Sequence, residues 1–150
     1  MIAFRAHKGG ATQAGLTAGV YNAVSMPSCD YSTRYASSAW TPVIVGEEPR
    51  LVIFSGQVWV PYDGAPGFIY NGSENLVSRI IKNGDASTGV TIGTGVASKG
   101  PFSDDWVCAL SMQDVAQPGD TYRLYQYAFD ADAFIDGHPL HTFWCGVVVP

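Results

Sequence analysis

The stretch from residue 49 to residue 61 is rich in β-branched and aromatic residues and has a proline at each end. Such residues favour a β-strand, in which alternate side chains point to opposite faces. Neither of the two faces is polar. One face carries Val52, Phe54, Val58 and Val60, and the other carries Leu51, Ile53 and Trp59.

A strand that is apolar on both faces is expected where both faces are covered. Two places satisfy this condition: the inside of a two-layer β-domain, and the contact between one such domain and another copy of it. We predict that Val52, Phe54 and Val58 form part of the core. The opposite face of the same strand, with Leu51, Ile53 and Trp59, can then lie either inside the domain or at the contact with another copy.

Further extended segments alternate with glycine- and proline-rich turns along the chain, and no segment has the pattern of an amphipathic helix. The sequence Asn83-Gly84-Asp85 after one segment is typical of a hairpin turn. This organisation predicts an all-β, single-domain β-sandwich or jelly roll over residues 1–150, with the last strand in the middle of a sheet. The other predicted strands are 2–7, 16–24, 40–46, 76–82, 90–96, 106–115, 121–129 and 140–150.

The composition adds the expectation of a buried surface between subunits. Hydrophobic residues make up 47% of the chain and charged residues only 14%, against roughly 25% charged residues in an ordinary domain. Tryptophan and tyrosine, with four and eight copies, are enriched at the centres of protein interfaces. The alternative interpretation is a large core surrounded by small polar residues.

Several classes of partner are not expected. The net charge is −5 and no run of Lys or Arg occurs, which argues against nucleic-acid binding. No apolar segment approaches the roughly 20 residues that span a bilayer, and the first residues do not resemble a signal peptide. We therefore expect a protein made in the cytoplasm, without membrane insertion, whose Cys29, Cys108 and Cys145 stay reduced.

Catalysis is not predicted either. The chain contains His7, His138 and His141, but it has no Gly-x-Ser-x-Gly elbow, phosphate loop or His-Glu-x-x-His motif. A catalytic site would have to be assembled from distant loops. We expect no enzymatic activity and no cofactor.

Metal binding has one candidate segment. Asp130, Asp132 and Asp136 place carboxylate oxygens close together in the sequence, and oxygen ligands suit Ca²⁺. The segment lacks the glutamate and the spacing of an EF-hand, so we interpret it as a solvated acidic turn and predict no metal. His138 and His141 flank Pro139, off any helix, and are interpreted as loop or interface residues.

Four motifs, in the right order, resemble the strands of C1q/TNF-like domains. They are the segment 49–58, Ile80-Ile81-Lys82-Asn83-Gly84, Gly119-Asp120-Thr121-Tyr122-Arg123-Leu124, and the terminal run from Thr142-Phe143 to Pro150, with Phe4-Arg5-Ala6 fitting the opening strand. The sequence departs from the family pattern at Arg50, where glycine is preferred, before Gly119 and at Gly146. Such shifts affect strand register, because a one-residue slip exchanges the two faces of a strand.

The resemblance implies a ten-stranded jelly roll assembled as a compact homotrimer, usually serving recognition or assembly. In the strand 121–129, Tyr125 and Tyr127 lie on the face opposite Tyr122 and Leu124. One set is expected in the core and the other at the subunit interface. We predict Tyr125, Tyr127 and Trp144 for the trimer interface.

Animal C1q-like proteins normally carry a signal peptide and a collagen or coiled stalk, and this sequence shows neither. We therefore expect a bacteriophage virion protein, namely a trimeric capsid decoration (cement) or head-spike protein in contact with the major capsid protein or with fibre and spike components. An alternative is the tip of a phage tail or head fibre that binds a host receptor or glycan. A lesser alternative is a bacterial C1q-like binding module. For glycan stacking, the candidate loop residues are Tyr31, Tyr35, Tyr62 and Tyr70.

Overall fold

The computed structural model describes residues 2–32, 35–36, 38–44, 46–60, 77–99, 106–128 and 134–150. Within these ranges the regular structure consists of β-strands, and no helix there has the length and apolar character that crossing a membrane requires. The strands are β1 (Ile2–His7), β2 (Val20–Ala23), β3 (Ser28–Ser32), β4 (Tyr35–Ala36), β5 (Ala39–Trp40), β6 (Arg50–Val60), β7 (Val77–Lys82), β8 (Val90–Lys99), β9 (Trp106–Ala116), β10 (Tyr122–Ala128) and β11 (Phe143–Val148).

The strands form two antiparallel layers. The first sheet has the order β3-β1-β11-β6-β9, and the second consists of β8, β7 and β10, with β2 and β5 on the far side of β10 and β4 beyond β5. Strand β8 joins the layers, because its first part pairs with β7 and its last residues pair with β9. The predicted all-β jelly-roll sandwich is confirmed, and the terminal strand β11 lies between β1 and β6 as expected.

An aromatic cluster fills the space between the sheets. The Phe4 ring lies 4.6 Å from those of both Trp40 and Trp144, measured between centroids, and Phe54 lies 4.8 Å from Tyr122. All five side chains are fully buried. The three predicted core residues, Val52, Phe54 and Val58, are also fully buried in this cluster.

Gly146 of β11 makes this close aromatic packing feasible. A Cβ at this position would come within 2.7 Å of the Phe4 ring and 3.0 Å of the Phe54 ring, closer than packed carbon atoms approach. A larger residue would push the two aromatic side chains out of the core. The glycine is therefore explained by packing rather than by an unusual backbone angle.

The edge strands differ most from the sequence prediction. The predicted strand 16–24 is shortened to Val20–Ala23. Among the described residues of the predicted strand 40–46, only Trp40 is in a strand, where it pairs as part of β5, Ala39–Trp40. Conversely, β3 lies in a segment for which no strand was predicted, and it pairs with β1 through a register shift between Arg5 and Ala6. These short strands form because they pair with the free edge of a longer strand, since their own sequences do not alternate with a period of two.

The hairpin between β7 and β8 occurs where it was predicted, but its connection is longer than a two-residue turn. Asn83 adopts a φ of 53°, a left-handed conformation that asparagine tolerates. The Asp85 carboxylate then accepts hydrogen bonds from the backbone amides and hydroxyls of Ser87 and Thr88. These bonds lower the pKa of Asp85, the Ser87 hydroxyl contributing most.

Lys8, directly after β1, has a buried amine. Its Nζ donates hydrogen bonds to the Ser25 carbonyl at 2.9 Å and to the Gln13 Oε1 at 3.3 Å, both uncharged acceptors. Burial without an opposite charge disfavours the protonated form. The pKa of Lys8 is lowered from 10.5 to about 8.

We expect this lysine to make the protein more stable as pH rises from 7 to 9.5. Between pH 8 and 10.5 the unfolded chain binds a proton at this side chain that the folded chain has lost, so the free energy of unfolding increases with pH. Over pH 7 to 9.5 the change amounts to about 2 kcal/mol at 1.36 kcal/mol per pKa unit. Urea unfolding at successive pH values measures it, and Lys8→Met should flatten the curve.

A matched control is Lys82→Met. The pKa of Lys82 is raised, because its hydrogen bonds to Asp120 and Asp114 outweigh desolvation, so this variant should keep the upward slope. The measurements stop at pH 9.5 because burial raises the pKa of Tyr35 to about 12, and its ionisation in the unfolded chain opposes the trend above pH 10. Burial also raises the pKa of the Cys108 thiol, which opposes the trend equally in every variant, so the contribution of Lys8 is the difference between the wild-type and Lys8→Met curves. A Lys8→Met curve as steep as that of the wild type would contradict the assignment.

Candidate assembly surface

The outward face of the three inner strands of the first sheet, β6, β9 and β11, carries no formal charge. We call this surface the assembly face. Its residues alternate with the core residues of the same strands, so their side chains point away from the second sheet. They are Leu51, Ile53, Ser55, Gln57 and Trp59 of β6, Val107, Ala109, Ser111, Gln113 and Val115 of β9, and Phe143, Cys145 and Val147 of β11.

One end of the assembly face is an exposed apolar patch. Leu51 is 36% exposed, Ile53 40% and Val115 53%. Leu51 lies opposite Val115 across one strand pair, and Ile53 lies opposite Val147 across the next. Contiguous exposed apolar side chains of this kind mark surfaces that contact other proteins.

The middle of the assembly face is made of small side chains. Ser55 lies opposite both Cys145 and Ser111, and its Oγ is 3.0 Å from the Cys145 Sγ. This bond satisfies the hydroxyl within the sheet, so little polar surface has to be desolvated when a neighbour approaches. Small side chains at the centre permit close contact with a second protein surface.

Charged residues surround one edge of the assembly face rather than its centre. Asp30 of β3 pairs with Arg5 and with His7, its carboxylate lying 2.9 Å from the His7 Nε2. Hydrogen bonding from Arg5 is the main cause that lowers the pKa of Asp30. The Arg5 guanidinium also lies 5.2 Å from the centroid of the Phe143 ring. An apolar centre with a polar rim is typical of protein interfaces.

Aromatic rings close the other end of the assembly face. Trp59 stacks on His141 at 4.3 Å between centroids, and His138 follows at 4.4 Å. The Gln57 Nε2 donates to the carbonyls of Leu140 and His141 at 3.0 and 3.1 Å, which fixes the loop against β6. Side-chain contacts therefore hold the loop 138–141 against this end of the sheet.

The calcium candidates are only partly described. Asp136 contacts the His141 Nδ1 through its carboxylate and accepts a hydrogen bond from the His138 amide, whereas Asp130 and Asp132 lie outside the described residues. Among the residues that the structure does describe, no group of three or more metal-ligating side chains comes together. Asp136 thus has a structural role in positioning the histidine loop.

The residues predicted for the interface do not lie on the assembly face. Trp144 is fully buried in the aromatic core, so its assignment to the interface was wrong. Tyr125 lies on the outer side of the second sheet and is only 4% exposed, which leaves little surface for a neighbour. Tyr127 is half-buried on the same side and packs edge-on against Tyr21 at 5.1 Å; its contact with another subunit stays a prediction.

The four candidate ligand-loop tyrosines separate in the structure. Tyr31 is exposed on β3. Tyr35 packs against the core, with its ring 5.4 Å from Phe4, and is therefore not free to stack on a sugar. Tyr62 and Tyr70 lie outside the described residues.

The predicted interface residues lie away from the assembly face, although the sequence also shows apolar residues on that face. Leu51 and Ile53 were already recognised as a second apolar face of the central strand. Aromatic size then favoured Tyr125, Tyr127 and Trp144, although burial depends on which side of the sheet a residue occupies. The better signal is an apolar face that remains exposed once the opposite face has filled the core.

Solved structures with the same architecture cover nearly the whole chain. The globular domain of zebrafish complement 1qA protein is 10% identical over 100% of this chain and 98% of its own length, with a TM-score of 0.59. Eiger TNF from S. frugiperda is 11% identical over 99% and 92%, with a TM-score of 0.62. Murine APRIL at pH 5.0 is 10% identical over 98% and 99%, with a TM-score of 0.60.

These likenesses establish a C1q/TNF-like jelly-roll fold. At such low sequence identity they establish the fold alone. No protein-family model matches the sequence, and no curated protein matches it. The function therefore has to be argued from the surfaces of the chain.

Proposed function

We propose that this chain is a non-catalytic assembly domain that forms a homotrimer through the assembly face. The observation that carries the proposal is an uncharged face, apolar at one end, on strands that are also apolar towards the core. Leu51, Ile53 and Val115 are exposed in the single chain. Covering them removes apolar surface from water, which is the main driving force of association.

Threefold symmetry is supported by the resemblance to C1q/TNF-like domains, which implies a compact trimer. In a closed ring, each subunit contacts one neighbour with one part of its surface and the next neighbour with another. An extended sheet face that is bounded by a polar edge can serve both contacts. The contribution of the chain to function is then a rigid, symmetric platform.

The proposal includes no catalysis, and the three histidines have structural contacts that support this. His7 contacts Asp30, and His141 contacts Asp136 and stacks on Trp59. His138 accepts a hydrogen bond from the Leu140 amide. None of them is paired with a serine or cysteine nucleophile in these contacts, as nucleophilic catalysis would require.

Sedimentation equilibrium of the wild-type chain tests the assembly. At micromolar concentration the particle should have three times the 16.0 kDa mass of one chain. A stable species with the mass of a single chain would refute the proposal. A stable dimer would retain an interface but refute the threefold arrangement.

For the biological setting, we retain a bacteriophage virion as the proposed location, with the trimer as a capsid decoration or head-spike protein. A small symmetric platform fits a role of cementing or ornamenting a particle. Mass spectrometry and antibody labelling of purified particles test this location. Labelling confined to tail or head fibres would favour the fibre-tip alternative, and absence from particles would favour a bacterial C1q-like binding module.

A further inference from the structure

All three histidines of the chain lie around one end of the assembly face. His7 of β1 is paired in register with Phe143, the first residue of β11 on that face. His141 stacks on Trp59 of β6, and His138 lies 4.4 Å from His141 between ring centroids. We call the three histidines the histidine end. Histidine is the side chain whose charge ordinarily changes between pH 5 and 8, so this end of the face is where mild acid can add charge.

His7 makes two hydrogen bonds that together fit a neutral ring. Its Nδ1 accepts from the Gly9 amide at 3.0 Å, and its Nε2 donates to the Asp30 carboxylate at 2.9 Å. A second proton, on Nδ1, would set two N–H donors against each other. Gly9 has a φ of 62° and belongs to the turn after β1. Protonation of His7 therefore breaks a bond that holds this turn.

His138 uses its Nδ1 in the same way. This atom accepts a hydrogen bond from the Leu140 amide at 3.2 Å, which a proton on Nδ1 would abolish. His141 differs, because its Nδ1 donates to the Asp136 carboxylate and its second proton would go to Nε2. With both rings protonated, two like charges would lie side by side. Acid therefore loosens the loop 138–141 as well as the turn after β1.

The charges in contact with the histidine end nearly cancel at neutral pH. Within the described part of the chain they belong to Arg5 on β1, Asp30 on β3 and Asp136 in the loop before β11. The Lys8 amine, beside His7 in the sequence, is directed to uncharged acceptors instead. One positive and two negative groups give −1 per subunit, and three protonated imidazoles would change this to +2.

We propose that protonation of the histidine end in mild acid dissociates the trimer into folded monomers. This regulation deepens the proposed assembly and rests on it. Covering the assembly face removes water from its border, so charge added there becomes costly. The equivalent ends of the three subunits would also carry charge of the same sign. In addition, the lost Nδ1 bonds release the two loops that shape this end of the contact surface.

The fold of each subunit should survive the same change. The aromatic core lies on the opposite side of the first sheet from the histidine end, so the added charges do not enter it. In the single chain, water solvates the protonated rings, and Asp30 and Asp136 remain beside two of them. Protonation therefore costs the assembled trimer more than it costs the separated monomer.

Sedimentation velocity at micromolar concentration, combined with far-UV circular dichroism, tests the proposal between about pH 7 and about pH 5. The wild type should be trimeric at the upper pH, a folded monomer at the lower pH, and trimeric again when the pH is restored. A variant with His7→Asn, His138→Asn and His141→Asn should stay trimeric throughout. Asparagine supplies a neutral amide close to the position of Nδ1 and does not titrate in this range.

Glu48→Gln is the matched control, because Glu48 is exposed and precedes β6 at the opposite end of that strand from Trp59. This variant should dissociate at the same pH as the wild type, which separates histidine protonation from the protonation of a carboxylate. If the triple variant does not assemble at about pH 7, His7→Asn and His138→Asn decide singly. Each should shift the midpoint of dissociation to lower pH.

The outcomes separate this proposal from the proposed assembly. A wild type that stays trimeric at about pH 5 overturns the pH switch and leaves the assembly face intact, whereas a monomer at every pH refutes the assembly itself. Loss of the β-sheet signal together with the trimer would overturn the switch, because acid would then be unfolding the subunits. Histidine variants that dissociate at the wild-type midpoint, or a Glu48→Gln shift as large as theirs, would also overturn it.

Discussion

Replacing Ile53 with Asp should separate the proposed trimer into folded monomers. Ile53 lies near the apolar end of the assembly face, opposite Val147 on one neighbouring strand and Gln113 on the other. A carboxylate there would be buried between subunits with no cation on the face to pair with it, a costly arrangement. Because the loss recurs at every equivalent contact, we expect monomers at micromolar concentration in sedimentation, with the β-sheet circular dichroism retained.

The matched control is Val90→Asp. Val90 is 63% exposed and begins β8 beside the hairpin, away from the assembly face. This variant introduces the same charge on a β-branched surface position and should remain trimeric. An Ile53→Asp protein that sediments like the wild type would show that this face is not the contact.

Replacing Phe54 with Ala should have the largest effect on stability. The Phe54 ring is fully buried, with centroid distances of 4.8 Å to Tyr122, 5.7 Å to Trp40 and 6.0 Å to Trp144. Its removal loses apolar burial and leaves a cavity that the surrounding rings cannot fully close. Substitutions of this kind cost about 3–5 kcal/mol, and urea unfolding measures the loss.

Leu140→Ala provides the comparison for Phe54→Ala. Leu140 is a large apolar residue that is exposed in the connection before β11, so its truncation should change the free energy of unfolding by no more than about 0.5 kcal/mol. A Phe54→Ala variant as stable as Leu140→Ala would mean that the aromatic cluster does not hold the sheets together.

The long strands could be predicted from the sequence because their own residues determine them. The β-branched and aromatic run in the segment 49–61 is long enough to define a strand and its two sets of side chains, although both sets are apolar. The predicted core set, which includes Phe54, is the buried one in the structure. The short strands β2 and β5 carry no such pattern. Their pairing with β10 depends on which edge the folded sheet leaves open, information that no local sequence contains.

The buried side of β11 could not be placed from the sequence because β11 is apolar on both faces. Trp144 and Val148 point inward, whereas Phe143 and Val147 point outward, and either set could fill a core. A one-residue change of register exchanges the two sets. The position of Gly146 differs from the family pattern, so the resemblance does not determine the register of this strand. Pairing with β1 and β6 in the folded sheet settles the choice.

Thiol labelling tests the assembly face most directly. Cys145 lies on that face, Cys29 is exposed on the edge strand β3, and Cys108 is buried in the core. In the wild type at micromolar concentration, Cys145 should react with a maleimide about tenfold or more slowly than in Ile53→Asp, since reaction requires access, whereas Cys29 should react equally in both. Equal Cys145 rates in the assembled wild type and the monomeric variant would contradict burial of this face between subunits.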